Sequence, residues 1–162
     1  MIIKSYELDK IKSKKNNFFL FYGSNQGYKN EIIKDLFEKS FSGNISRYDE
    51  YEILKNEEDF ISSLMNKSLF EDEKLIIISR TSEKIANFVS EILERKIEKI
   101  KIIIDSSNLE KKSKLRTLFE KERELVCIPF YEDNEKSLSL LAQNFFRKKN
   151  IKISQEIINL IV

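Results

Sequence analysis

Five short apolar runs punctuate this chain, and between them apolar residues return at the spacing of a helix. The runs lie at about Asn17 to Tyr22, Ile45 to Tyr48, Leu75 to Ile78, Ile102 to Asp105 and Leu125 to Ile128, the last closed by Pro129. The first is unbroken, as expected of a strand covered on both faces in a parallel sheet. Tyr28, Ile32, Ile33, Leu36 and Phe37 then predict a helix with Lys29, Lys34, Asp35 and Lys39 on its polar side, ended by Ser42-Gly43-Asn44. Further helices are predicted from Asn56 to Asn66, from a Ser82 cap to about Lys96, and from Lys111 to Lys121. Strands alternating with helices define a three-layer α/β domain with a five-stranded parallel sheet. The first sixteen residues carry Ile2, Ile3, Tyr6, Leu8 and Ile11, a piece expected to pack on the domain edge.

After Pro129 the pattern turns purely helical. Asn134 to Lys149 carries Leu138, Leu141, Ala142 and Phe145, and a second helix from Ser154 carries Ile157, Ile158 and Ile161. We therefore divide the chain into an α/β domain over residues 1–133 and the start of a helical domain over 134–162. The apolar end, Asn159 to Val162, has no cap, so we expect the natural chain to continue.

Composition narrows the chemistry. The 162 residues are 41% hydrophobic and 35% charged, which suits a soluble core under an ionised surface. No apolar run approaches the roughly 20 residues that span a bilayer, and the N-terminus lacks a secretory segment, so we expect a cytoplasmic protein with no membrane partner. There is no histidine, which removes the commonest general base and transition-metal ligand; no catalytic residue, metal site or cofactor is assigned. Cys127, flanked by Val126 and Ile128, reads as a buried strand residue. The net charge of +2 gives no overall signature for nucleic acid.

Three stretches could carry function. The first is Gly23-Ser24-Asn25-Gln26-Gly27-Tyr28-Lys29-Asn30, which follows a strand and opens a helix, as a phosphate loop GxxxxGK[ST] does. Gly23 and Lys29 fit that layout, with Gly27 at one of its free positions. Tyr28 stands at the second glycine position and Asn30 where a magnesium-binding hydroxyl belongs, so the loop is degenerate. The third strand runs into Ser79-Arg80 with no carboxylate, leaving Asp105 as the sole candidate acid. The second stretch is Ser68-Leu69-Phe70, two large apolar residues in a polar connection, which suit either a core cap or an anchor for a partner's pocket. The third is Lys111-Lys112-Ser113-Lys114, either a solvated helix face or a phosphate contact.

Taken in order, Phe19-Leu20-Phe21-Tyr22-Gly23, Ser68-Leu69-Phe70 before Leu75-Ile76-Ile77-Ile78, and Leu109 to Leu115 resemble the delta subunit of the bacterial DNA polymerase III clamp loader. The resemblance implies an AAA+-like domain followed by a helical lid, without productive ATP binding or hydrolysis. It implies that Leu69 and Phe70, preceded by Ser68, bind the DNA polymerase sliding clamp and help to open it during DNA replication. It also implies assembly with other clamp-loader subunits through a carboxy-terminal domain absent from this chain; the basic residues Lys111, Lys112 and Lys114 are the candidate contact for DNA. Members often carry arginine just before the third strand, whereas this chain has Glu71-Asp72-Glu73-Lys74. The alternative reading is a divergent P-loop NTPase or nucleotide kinase.

Overall fold

The computed structural model describes residues 1–3, 7, 8, 11, 16–67, 73–97 and 99–162. The chain divides into two compact units, Met1–Phe130 and Tyr131–Val162.

In the first unit, β1 (Phe18–Tyr22) leads to α1 (Gln26–Ile32), which runs on as a π-helical segment, Ile33–Glu38. There follow β2 (Asn44–Asp49), α2 (Glu50–Lys55), α3 (Glu57–Lys67), β3 (Lys74–Thr81), α4 (Ile85–Glu94), β4 (Ile100–Ser106), α5 (Lys114–Lys121) and β5 (Leu125–Pro129). All strand pairs are parallel, and the spatial order is β2-β3-β4-β1-β5. The strand to which the chain returns last, β5, lies on the far side of β1, so the order reverses at β1, where open α/β sheets form a crevice at their carboxyl edge.

Alternate residues of the central strands enter two separate cores, which is why those strands read as unbroken apolar runs. Leu20, Ile76, Ile78, Ile102 and Ile104 meet Ile61, Phe88, Ile92 and Phe119 from the helices on one face. Phe19, Phe21, Ile77, Ile103 and Val126 meet Ile33 and Phe37 on the other. Edge-to-face rings, Phe19 on Phe37 at 4.8 Å, join sheet and π-helical segment. The first residues add to the sheet: Ile2 bridges Cys127, and the Ile3 amide donates to the Cys127 carbonyl at 2.9 Å, covering part of the β5 edge. Ile3, Leu8 and Ile11 are buried in the second core.

Several expected boundaries move, each for a visible reason. The helix expected from Asn56 is preceded by another, α2, started by a reciprocal box in which the Asp49 amide donates to Glu52 Oε2 at 2.7 Å. Asn56, with φ −138° and ψ 56°, breaks the two apart. Ser82 does not cap α4, whose first residue is Ile85; its hydroxyl donates to the Glu50 carboxylate at 2.9 Å, tying the end of β3 to the start of α2. The helix expected from Lys111 begins at Lys114, because Ser113 caps it by accepting from the Arg116 amide. Gly43 ends no helix, since the π-helical segment stops at Glu38. Its smallness serves another contact: a Cβ there would lie 1.7 Å from the Glu73 carbonyl oxygen. Beyond Ile78 the register of β3 against β4 shifts, and Arg80 takes a left-handed φ of 54° with its guanidinium on Asp49.

The second unit holds α6 (Glu135–Lys148) and α7 (Gln155–Ile161). Asn134 caps α6, its side chain accepting from the Lys136 and Ser137 amides at 3.0 Å each, and Ser154 caps α7. At the far end of α6, Asn150 adopts a left-handed φ of 56°, its amide donating to the Arg147 carbonyl and that of Ile151 to Phe146.

Candidate functional site

The loop over residues 23–30 sits at the carboxyl end of β1, in the crevice where the strand order reverses. Asn25 starts α1 by accepting from the Tyr28 amide at 3.1 Å. One turn on, Lys29, expected on the polar side of its helix, is 1% exposed. Its Nζ lies 2.6 Å from Asp105 Oδ1 and donates to the Ser106 carbonyl at 2.7 Å. Asp105 stands opposite Phe21 in the β1–β4 register, so the end of β4 delivers its carboxylate to the place where a phosphate loop would hold its anion. The Gln26 side-chain amide donates to the other Asp105 oxygen at 2.6 Å and to Asn30 Oδ1 at 3.1 Å. The positions of the lysine, the metal-binding hydroxyl and the substitute acid are thus joined in one internal network. A buried ammonium is matched by a buried carboxylate, and the local charge is cancelled without a ligand.

Several backbone donors of the loop are engaged too. The amides of Gly23 and Asn25 donate to the carbonyls of Ser107 and Phe130, both at 3.2 Å. Those of Gln26 and Lys29 donate to the carbonyls of Ser24 and Asn25. A phosphate cradle works by leaving such groups facing the ligand; here five loop amides, counting that of Tyr28, have protein acceptors. The two glycines differ in purpose. Gly23 has φ +127°, and a Cβ would fall 2.0 Å from the Phe130 oxygen, so its smallness admits the segment after β5. At Gly27 an added Cβ meets nothing nearer than Asn25 Oδ1 at 4.0 Å. The Tyr28 ring packs edge-on against Phe130, with centroids 5.4 Å apart. Gln26 and Phe130 are the participants that sequence reasoning missed; the aromatic residue directly after Pro129 was the one available signal.

The ends of β3 and β4 are laced together beside this network. Thr81 Oγ1 donates to the Asp105 carbonyl at 3.1 Å and Ser106 Oγ to the Thr81 carbonyl at 2.9 Å. These buried hydroxyl bonds hold the backbone that aims Asp105.

Ser68, Leu69 and Phe70 lie outside the described residues, as do Glu71 and Asp72. Their flanks are placed: the connection leaves α3 and enters β3 at Lys74, at the amino edge of the sheet beside Asn44 and Ile100. The loop lies at the carboxyl edge, roughly 23 Å away along eight residues of β3. Lys111, Lys112 and Lys114 are exposed around the start of α5, with Lys112 Nζ 3.1 Å from Glu110. Arg116 lies over the Tyr22 ring at 5.0 Å and bonds Glu120 at 2.6 Å. Cys127 is fully buried, and burial, with a smaller contribution from Glu120, pushes its thiol up to about 12. No helix among the described residues is long and apolar enough to cross a membrane.

The sheet order and the loop at the reversal define an AAA+-like α/β fold. Among solved structures the chain is similar to the DNA clamp loader delta protein YqeN of Bacillus subtilis, with a TM-score of 0.62 and 14% identity over 98% of this chain and 51% of that one. It therefore spans about half the length of that protein. Domain III of the replication initiation protein DnaA of Thermotoga maritima matches at a TM-score of 0.43 and 14% identity, over 97% of this chain and 72% of that one. No protein-family model and no curated protein matches the chain.

Proposed function

We propose that this chain is a noncatalytic, delta-like part of a clamp loader that binds a DNA polymerase sliding clamp in the cytoplasm. The observation that supports the noncatalytic half is the Lys29–Asp105 pair, in which the loop lysine is already matched by a buried carboxylate beside five loop amides that have protein acceptors. The likeness in fold to a clamp loader delta protein supports the other half. In this reading Ser68, Leu69 and Phe70 are the clamp contact, the helices over 134–162 begin a lid domain, and other loader subunits join through a further domain. Lys111, Lys112 and Lys114 contact DNA.

The mechanism rests on burial. Two large apolar side chains entering a clamp pocket contribute roughly 1.5 to 3 kcal/mol each. If the pocket accepts them better in the opened ring, binding shifts the ring toward opening by that difference in affinity and no more.

The test is binding of the intact chain to the sliding clamp of the same organism. Leu69→Ala with Phe70→Ala should weaken binding at least a hundredfold with the circular dichroism spectrum unchanged. Unaltered binding by the double variant removes the assigned contact. If the intact chain shows no clamp affinity, the clamp reading falls; magnesium-dependent ATP binding abolished by Lys29→Ala would favour the NTPase alternative.

A further inference from the structure

The second unit carries a charge asymmetry remote in sequence from the degenerate loop and from the clamp contact. From Ser137 to Gln155 there are four cations, Arg147, Lys148, Lys149 and Lys152, and no carboxylate, in a chain whose 29 basic and 27 acidic residues otherwise nearly balance. All four cations are exposed, and among the described residues none has an ion-pair partner. Basic residues favour a helix C-terminus through the dipole, but that accounts only for Arg147 and Lys148, in the last turn of α6. The terminal carbonyls of Phe145, Phe146 and Arg147 are already met by the amides of Lys149, Ile151 and Asn150, so no side-chain cation is needed to cap them. Lys152 lies beyond the turn altogether.

Beside these cations is a cavity of about 360 Å³ with Arg147 and Lys152 on its wall, Phe146 and Ile151 among its apolar lining, and Gln143 and Gln155 as amides. The Gln143 side chain donates to Gln155 at 3.0 Å. Phe145, 55% exposed, stands edge-on to Phe146 at 5.5 Å. Cations spread around a turn, and an aromatic surface beside a cavity, match the needs of a single strand: charges for phosphates and an apolar seat for a base. An interfacial helix would place its cations along the sides of the helix; here Leu141 and Phe145 of α6 are exposed, but Lys149 and Lys152 lie beyond its last residue, Lys148.

We propose that this unit binds single-stranded nucleic acid, Arg147, Lys148, Lys149 and Lys152 taking phosphates and the cavity beside Phe146 seating one base. The site is distinct from Lys111, Lys112 and Lys114 and does not depend on clamp binding.

The experiment measures anisotropy of a labelled oligothymidylate against the intact chain over a salt series. Four phosphate contacts give a slope of log affinity on log salt of about −3, a roughly 50-fold loss between 50 and 200 mM salt. Arg147→Ala with Lys152→Ala should halve that slope, and Lys152→Glu alone, outside both helices, should weaken binding at least tenfold. An abasic strand of equal length should also bind at least tenfold more weakly. Leu69→Ala with Phe70→Ala should bind the strand normally, which separates this site from the clamp reading. Equal binding by the Arg147/Lys152 variant, equal binding of the abasic strand, or binding to phosphatidylserine vesicles in preference to the oligonucleotide would each overturn the proposal.

Discussion

The ammonium of Lys29 and the carboxylate of Asp105 face each other at 2.6 Å across the crevice between α1 and β4, both nearly closed off from water. Removing one partner leaves the other charge buried and unmatched, so Lys29→Met or Asp105→Leu should each destabilise the fold by roughly 3 to 5 kcal/mol. Lys29→Met combined with Asp105→Leu should recover much of that loss, because the pair as a whole is offset by its desolvation. Urea unfolding of the four proteins measures the coupling directly.

The same pair bears on nucleotide. Addition of magnesium ATP at millimolar concentration should leave the melting temperature unchanged, since a ligand stabilises only through the affinity it has for the native state. Calorimetry should likewise show no heat of binding. A rise in melting temperature that disappears in Lys29→Met would mean that Asp105 yields its place to phosphate.

The two loop glycines should respond oppositely to alanine. Gly23→Ala forces a Cβ onto the Phe130 oxygen at a left-handed φ and should cost on the order of 3 to 5 kcal/mol or prevent folding. Gly27→Ala meets open space within α1 and should stabilise by about 0.4 to 1 kcal/mol. Equal effects in thermal melts would mean that the Phe130 segment is not seated on the loop.

Cys127 offers a probe of opening. With its thiol held up to about 12 by burial, it should resist alkylation at pH 8 in the native protein and react once the sheet unfolds. The sign of the linked stability is set by the same shift: a folded value raised above the unfolded one favours the native state fully below about 9.0, and that contribution is lost as pH climbs toward 12. Stability measured from pH 8 to 11 should fall faster in the parent than in Cys127→Ala.

Much of the fold could be read from the residues because its signals are local. The strands at Phe18, Leu75, Ile102 and Leu125 are runs of residues that avoid water on both faces, and each is a strand of the sheet. The features that escaped notice depended on partners distant in sequence or on a weak local box. Lys29 carries a charge and a helical position that both suggest solvent; only Asp105, 76 positions later, turns it inward. Gly43 resembles a helix terminator until Glu73 is seen against it. The Asp49 to Glu52 box, by contrast, was present in the sequence and marks a helix that periodicity over six residues could not reveal. The position of the loop between β1 and α1 was legible in the sequence, but its internal bonds through Gln26, Asp105 and Phe130 were not.

Phe130 is the final residue of the first unit, and its amide donates to the Tyr22 carbonyl at 2.7 Å while its own carbonyl accepts from Asn25. The chain therefore leaves the α/β unit from a point moored to both β1 and the loop. In a nucleotide-driven machine such a mooring would carry the state of the bound phosphate into the exiting polypeptide. Here both anchors of the exit at Phe130, the Tyr22 carbonyl and the Asn25 amide, are the protein's own groups, so the point of departure is set by the same residues that shape the loop.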